Sequence, residues 1–264
     1  MVEKLIKELA SLDEVEAVLL GGSRATGTYD DKSDYDYYVY LNKPLSENKR
    51  RNILNKYCSY MEYSNKFWEL EDDGKLNNGL EIELIYREID SIDEMLDGLV
   101  NKGYVSHGYT TCYLDNVLNS KIIVDKNDIV ANLKEKYKHG LSNELIKKII
   151  DYNYPIIYEQ MPALYKQVKK AVERNDLHSI NHRVTAYFEM YYDIVFALNN
   201  KTHPGEKRLL ELTLKLDKKP EKMEELINQI FLNIFHDNDK MLLALKVLSL
   251  NLKKLLENEK LIER

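Results

Sequence analysis

The 264-residue chain is short of several residue types, and each shortage narrows what it can be. It has two cysteines, Cys58 and Cys112, too few for a disulfide framework or a zinc cage, so a reducing cytoplasmic compartment is expected. Five prolines and ten glycines leave no collagen-like or low-complexity segment. No stretch approaches the roughly 18–20 apolar residues of a membrane span, so no membrane partner is expected. The opening residues, MVEKLIKELASLDE, are amphipathic and charged throughout and do not read as a secretory leader. Positive charge is also in deficit: 38 Lys and Arg face 44 Asp and Glu, a net charge of −6. That balance disfavours broad nucleic-acid binding, which rests on phosphate neutralisation, and suits a small cationic ligand or a metal-bridged anion.

What is present is an ordinary globular composition, 44% hydrophobic and 31% charged. All but two of the ten glycines precede residue 110, and the second half is dominated by 3.6-residue periodicity. We therefore expect a boundary near residue 126, with domains 1–125 and 126–264. In the first half, Val2, Leu5, Ile6 and Leu9 predict a helix, and Val15 to Leu20 a strand ended by Gly21-Gly22. Asp34 to Leu41 alternates, with Tyr35, Tyr37, Val39 and Leu41 on one face and Asp34, Asp36, Tyr38 and Tyr40 on the other. Residues 46–61 read as a helix striped by Ile53, Leu54, Tyr57 and Met61. Phe67–Leu70 and Leu80–Arg87 read as strands around a DDGKLNNG turn. Ser91-Ile-Asp-Glu94 predicts a capped helix, and Lys121–Val124 a short strand. Helices are expected over 128–138, 142–173 (broken by Pro155 and Pro162), 176–199, 205–217, 221–235 and 238–260.

Chemistry concentrates in residues 18–41, VLLGGSRATGTYDDKSDYDYYVYL. Two glycines allow a sharp turn and leave the backbone open to a ligand. Ser23 follows at an expected helix start, where free N–H groups and a hydroxyl suit phosphate oxygens. Asp34 and Asp36 stand two apart on a strand, so their carboxylates share a face, roughly 7 Å apart. Such oxygens are the hard ligands that Mg²⁺ prefers, and paired ions can clamp a phosphoryl displacement. Gly22-x4-Gly27 imitates a P-loop, but Thr28-Tyr29 stands where Lys-Ser/Thr is needed, and no G-x-G-x-x-G fingerprint occurs.

Gly-Gly-Ser followed by Asp-Tyr-Asp on a strand resembles the polymerase-β-type nucleotidyltransferase superfamily, over roughly residues 1–125. The resemblance implies a third acid on a neighbouring strand; LEIELIYR (80–87) offers Glu83 first and Glu81 second. The layout also resembles bacterial lincosamide and aminoglycoside nucleotidyltransferases, while GYTTC (108–112) and FALNN…HPGEKRLL (196–210) are more similar to uncharacterised bacterial members. It implies an α+β fold, a small mixed sheet flanked by helices and followed by an all-helical C-terminal domain on the acceptor side. It implies transfer of a nucleoside monophosphate, with ATP as expected donor, to a hydroxyl of a small-molecule acceptor such as an antibiotic. Gly22, Ser23, Arg24 and Lys207 would bind the triphosphate. Asp34, Asp36 and Glu83 would hold two Mg²⁺ ions, with Glu83 or Glu81 serving catalysis. Transfer to tRNA or protein, or a non-catalytic nucleotide-binding module, are the alternatives, and the resemblance allows a homodimer. Asp30 and Asp31 read as turn residues, His178 and His182 as solvated or capping residues, and TAYFEMYYDIVF (185–196) as core.

Overall fold

Helical and alternating patterns interleave in the first half of the chain, and the sheet they build is the frame of the first of two compact units. The computed structural model describes residues 1–27 and 29–263; Thr28, cited above against a P-loop, lies outside the described residues. The first unit comprises Met1–Gly98 and Asn116–His139. Its elements are α1 (Val2–Ala10), β1 (Val15–Leu20), α2 (Gly22–Thr26), β2 (Tyr35–Leu41), α3 (Glu47–Leu54), β3 (Cys58–Asn65), β4 (Leu70–Leu76), β5 (Glu81–Glu88), α4 (Ile89–Val100), α5 (Cys112–Asn119), β6 (Lys121–Asp125) and α6 (Ile129–Tyr137). Helices α4 and α5 each run across a limit of the unit.

The sheet order is β3-β4-β5-β2-β1-β6. Strands β2 and β5 run parallel and the other pairs antiparallel, so the sheet is mixed, as the α+β reading expects. Leu5, Ile6 and Leu9 of α1 join Tyr37, Val39 and Leu41 of β2 and Ile82, Leu84 and Tyr86 of β5 in one core. Burying each such side chain is worth about 1.5–3 kcal/mol, which fixes the register of β2 and β5. The other face of those strands is then committed to Asp36, Glu83 and their neighbours.

Three expectations change. The helix expected to reach residue 61 ends at Leu54, and 58–65 is strand β3. Ile53, Leu54, Tyr57 and Met61 suit either period, and pairing with β4 decides for strand. The expected strand at Phe67–Leu70 is instead a connection whose Phe67 and Trp68 are exposed, and β4 occupies much of the expected turn. Only Asn77–Leu80 turns, with the Leu76 N–H donating to the Leu80 carbonyl at 2.8 Å. Asp72 tolerates the core face of β4 because Arg50 bonds its carboxylate there. Helix α4 starts at Ile89, so Ser91 and Glu94 lie within it and cap nothing; α5 was not anticipated.

The second unit comprises Leu99–Asp115 and the chain from Gly140 on. Residue 126, where the domain boundary was expected, falls between β6 and α6, both in the first unit. The helices of the second unit are α7 (Asn143–Tyr154), α8 (Leu164–Glu173), α9 (Leu177–Leu198), α10 (Leu209–Leu214), α11 (Met223–Asn233) and α12 (Asn238–Asn258). A π-helical turn, Pro155–Glu159, separates α7 from α8, where the prolines were expected to break the helix. Ser142, Asp176 and Asp237 cap α7, α9 and α12 through their side chains. Helix α10 is shorter than the expected 205–217 because Gly205 and Arg208 both take positive φ, 97° and 59°. The aromatic run of α9 is core: Tyr187 and Tyr191 are fully buried.

GYTTC is held in a polar network. The Asn153 amide accepts from the Gly108 N–H and donates to Asp193, and Asp193 also accepts from the Thr110 N–H and hydroxyl. The His203 N–H donates to the Thr111 hydroxyl at 2.7 Å.

Candidate active site

The Gly-Gly turn is shaped by what it touches. The Gly21 N–H donates to the Asp36 carbonyl at 2.7 Å, tying the end of β1 to β2. Gly22 has φ +57°, and a Cβ there would stand 1.8 Å from Asp36 Oδ2. A Cβ on Gly21 would stand 2.4 Å from the Tyr38 ring. Both glycines are therefore dictated by contact with the face of β2 that carries Asp36. Ser23 is the second residue of α2, half-buried beside this turn.

Asp34 immediately precedes β2 and is fixed from behind. Arg24 Nε donates to the Asp34 carbonyl at 2.8 Å and to the Ser33 carbonyl at 3.2 Å, and Nη2 donates to Ser33 at 2.6 Å. Its guanidinium lies 3.9 Å from the centre of the Tyr35 ring. In this arrangement Arg24 braces the segment bearing Asp34. Asp30 orders the same loop, its Oδ1 accepting from the Lys32 N–H and the Ser33 hydroxyl, which is the turn role expected of it.

The sheet register then assembles the acids. Asp36 of β2 pairs with Glu83 of β5, Glu83 with Asp73 of β4, and Asp73 with Glu62 of β3. Four carboxylates thus stand in one cross-strand row, where direct neighbours have Cβ atoms roughly 4.5–5.5 Å apart and like charges repel. Glu71, two residues before Asp73, shares that face. Glu71, Asp73 and Glu83 each offer an oxygen within 4.8 Å of the others. Burial first, and then the charges of Asp36, Asp73 and Glu71, push the Glu83 carboxyl up to about 7. Glu83 and Asp36 are also hydrogen-bonded to each other. The Glu71 carboxyl is raised by burial and by Asp73. Asp73 Oδ2 accepts from Asn65 at 2.6 Å, but its Oδ1 is buried with no partner among the described residues.

Asp34, Asp73 and Glu83 line one cleft of about 300 Å³ with Tyr60, Glu62 and Glu81. Glu81 is exposed at its rim and faces Lys75 at 3.3 Å, so its charge is partnered whereas that of Glu83 meets other acids. Lys207 lies in the second unit, on an exposed turn ahead of α10. His178 and His182 are exposed on α9.

The donor set fits a hard divalent cation. It is all oxygen, mutually repulsive, and includes one buried acceptor atom without a donor. Glu83 belongs both to this trio and to the set expected from sequence, whereas Glu71 and Asp73 were missed. Their signal was the i, i+2 spacing of acids in LEDDGKL, hidden because Asp-Asp-Gly reads as a turn.

Comparison with known proteins meets this geometry. Residues 2–102 match the sequence family described as nucleotidyltransferase domain, a span that contains the Gly-Gly turn and every acid of the row. Over those residues the chain is similar to a nucleotidyltransferase domain. Among solved structures, a nucleotidyltransferase-like protein from Exiguobacterium sibiricum aligns at 11% identity and TM-score 0.48, over 98% of this chain and 76% of that one. The spectinomycin adenyltransferase AAD(9) from Enterococcus faecialis aligns at 15% identity and TM-score 0.31, over 96% of each chain. The Thermotoga maritima CCA-adding enzyme aligns at 11% identity and TM-score 0.27, over 98% of this chain and 81% of that one. No curated protein matches the chain.

Proposed function

We propose that the nucleotidyltransferase domain is a metal-dependent catalyst that moves a nucleoside monophosphate, with ATP the favoured donor, to a hydroxyl of a small-molecule acceptor. The observation that carries the reading is the row Asp36–Glu83–Asp73 standing against a Gly22 that has no room for a Cβ. Asp34, Asp36 and Glu83 would hold the cations, with Glu71 and Asp73 as further oxygens on the same face. Bound Mg²⁺ would neutralise phosphate charge and polarise the reacting phosphoryl group.

The chain's own residues have separate tasks. The Gly21-Gly22 turn keeps the approach to Asp36 free of side chains, and Ser23 is the candidate hydroxyl donor to phosphate oxygens. Arg24 fixes the direction of Asp34. Glu83 would either ligate a cation, which holds it ionised, or take the proton of an acceptor hydroxyl, the role that a carboxyl raised to about 7 in the metal-free protein suits. In the transfer, the acceptor oxygen bonds to the α-phosphorus, the bond to the bridging oxygen breaks, pyrophosphate leaves, and the hydroxyl proton goes to a carboxylate. Positioning and charge neutralisation supply most of the acceleration. A cleft lined by five carboxylates favours an acceptor that is itself cationic, such as an amine-bearing polyhydroxylated molecule, an antibiotic among them.

The test is incubation with α-labelled ATP, Mg²⁺ and pooled acceptors. Label on a small molecule supports this reading. Label on RNA or protein moves the acceptor to a macromolecule. No label on anything, with no difference between the parent and Asp36→Asn, removes the catalytic proposal.

A further inference from the structure

The acidic cleft has a counterpart of opposite sign in the second unit. Helix α8 and its C-cap residue place Lys166, Lys170 and Arg174 at successive i, i+4 positions, about 6 Å apart along the axis. All three are exposed on one side of the helix, and Arg183 of α9 faces them across a cleft of about 310 Å³. Four cations line this cleft, with Met161 and Gln167 among the uncharged residues, and no carboxylate lines it. Among the described residues the one ion pair within α8, Lys169 with Glu173, lies about 100° round the helix.

The cations are held in different ways. Lys166 is anchored by the Glu159 and Gln160 carbonyls, both at 2.9 Å. Arg183 Nη1 donates to the Gln167 side-chain oxygen, while its Nε is buried without an acceptor among the described residues. Such an orphaned N–H costs free energy until an acceptor arrives. Lys170 and Arg174 have no carboxylate within ion-pair distance among the described residues. In a chain of net charge −6, four cations around one cleft that no carboxylate lines are a local reversal of sign, the nearby Asp176 that feels Arg174 lying outside the lining.

We propose that this cleft binds a small polyphosphate anion, the chemistry shared by inorganic polyphosphate and the phosphate chain of a nucleotide. Two guanidinium groups give the fork that fits phosphate oxygens, and two ammonium groups add charge without geometric demand. The compact cleft and the acidic remainder of the chain favour a small anion over a nucleic-acid strand, which needs an extended basic track. The site is independent of the acidic row, so it stands or falls separately from the transferase reading.

The experiment is calorimetric titration of the full chain with tripolyphosphate, in chelator and without divalent metal, at low salt. One-to-one binding is expected, unchanged in Asp36→Asn and weakened at least about tenfold in Lys170→Gln/Arg174→Gln. Circular dichroism checks that this double variant is folded, as two exposed positions predict. ATP and pyrophosphate are titrated in parallel: tighter binding of ATP assigns the site to a nucleotide, and equal binding to the phosphate chain alone. Absence of tripolyphosphate binding, or equal binding by parent and double variant, overturns the proposal. So does tighter binding of a single-stranded oligoribonucleotide that is lost with Lys170 and Arg174.

Discussion

Strand β4 carries acids on both faces, and the two faces treat them in opposite ways. On the core side Asp72 is fully buried, and its carboxylate takes bonds from the Arg50 guanidinium, the Ser64 N–H at 2.9 Å and the Tyr86 hydroxyl at 3.0 Å. On the other side Glu71 and Asp73 have Glu83 as their neighbour, and beyond it Asp36. The second unit repeats the first pattern: buried Asp193 is surrounded by donors from Thr110 and Asn153. A buried acid with donors around it holds a fold together. Acids gathered with other acids lower the stability of the sheet that holds them and are useful only when positive charge arrives. Acidity alone therefore does not identify the site; the missing counter-charge does.

The strongest way to break this comparison is to remove the counter-charge where it exists. Arg50→Met leaves Asp72 buried and unpaired, and should cost about 3–5 kcal/mol of unfolding free energy, read by urea denaturation. A loss below 1 kcal/mol would place Asp72 with the acids of the row. On the opposite face the same kind of change should spare the fold and remove function. Asp36→Asn is expected to lower nucleotidyl transfer by about 10²–10³-fold or more, with denaturation midpoint unchanged or raised. Retained turnover in this variant contradicts the proposed role of the row. Gly22→Ala lies between the two: its Cβ must displace the Asp36 carboxylate, and its backbone sits at φ +57°. Activity should fall about tenfold or more while the fold loses about 1 kcal/mol or more, measured in the same two assays.

Much of this was legible in sequence where period and packing agree. The alternation of β2 predicted which side of the sheet Asp36 would occupy, because burying Tyr37, Val39 and Leu41 leaves no other register. The identity of the neighbouring strand was legible too, since LEIELIYR has the same period. Strand β4 was not legible. Its Asp-Asp-Gly core is a turn by local preference, and it is a strand only because β3 and β5 pair with it on both sides and Arg50 answers Asp72. Both are long-range facts. The same holds for α3, whose apolar stripe continued in phase into β3 and concealed the change of period at Asn55–Tyr57. The bonding of GYTTC was also hidden, because its partners Asn153, Asp193 and His203 lie far along the chain.

Acidity without counter-charge has a pH signature. The Glu83 carboxyl titrates at an ordinary 4.5 when unfolded and at about 7 when folded, so the native state binds the extra proton between those values. Its contribution to stability is complete below 4.5, falls as pH rises towards 7 and is level above it. The metal-free protein should therefore lose stability across that window, and Mg²⁺ should restore it while releasing the proton. Glu83→Gln should flatten the slope and weaken the Mg²⁺ response. An unchanged slope in that variant would mean that the strain belongs to another acid of the row. Asp72, which has donors, should give no Mg²⁺ response at all.

The smallest expected effect sharpens the comparison most, because it concerns two glutamates two residues apart on one strand face. Glu81 and Glu83 are indistinguishable by alternation, yet Glu81 is exposed and faces Lys75, while Glu83 faces Asp73 and Asp36. An exposed pair of this kind contributes about 0–1 kcal/mol, so Glu81→Gln should leave both stability and transfer within about twofold of the parent. Glu83→Gln should lower transfer by far more while leaving the fold intact or firmer. If the ranking were reversed, the third carboxylate would sit at the rim of the cleft beside Lys75. The inward row would then be a structural cost with no catalytic return, and counter-charge would cease to be the property that separates the two faces of the sheet.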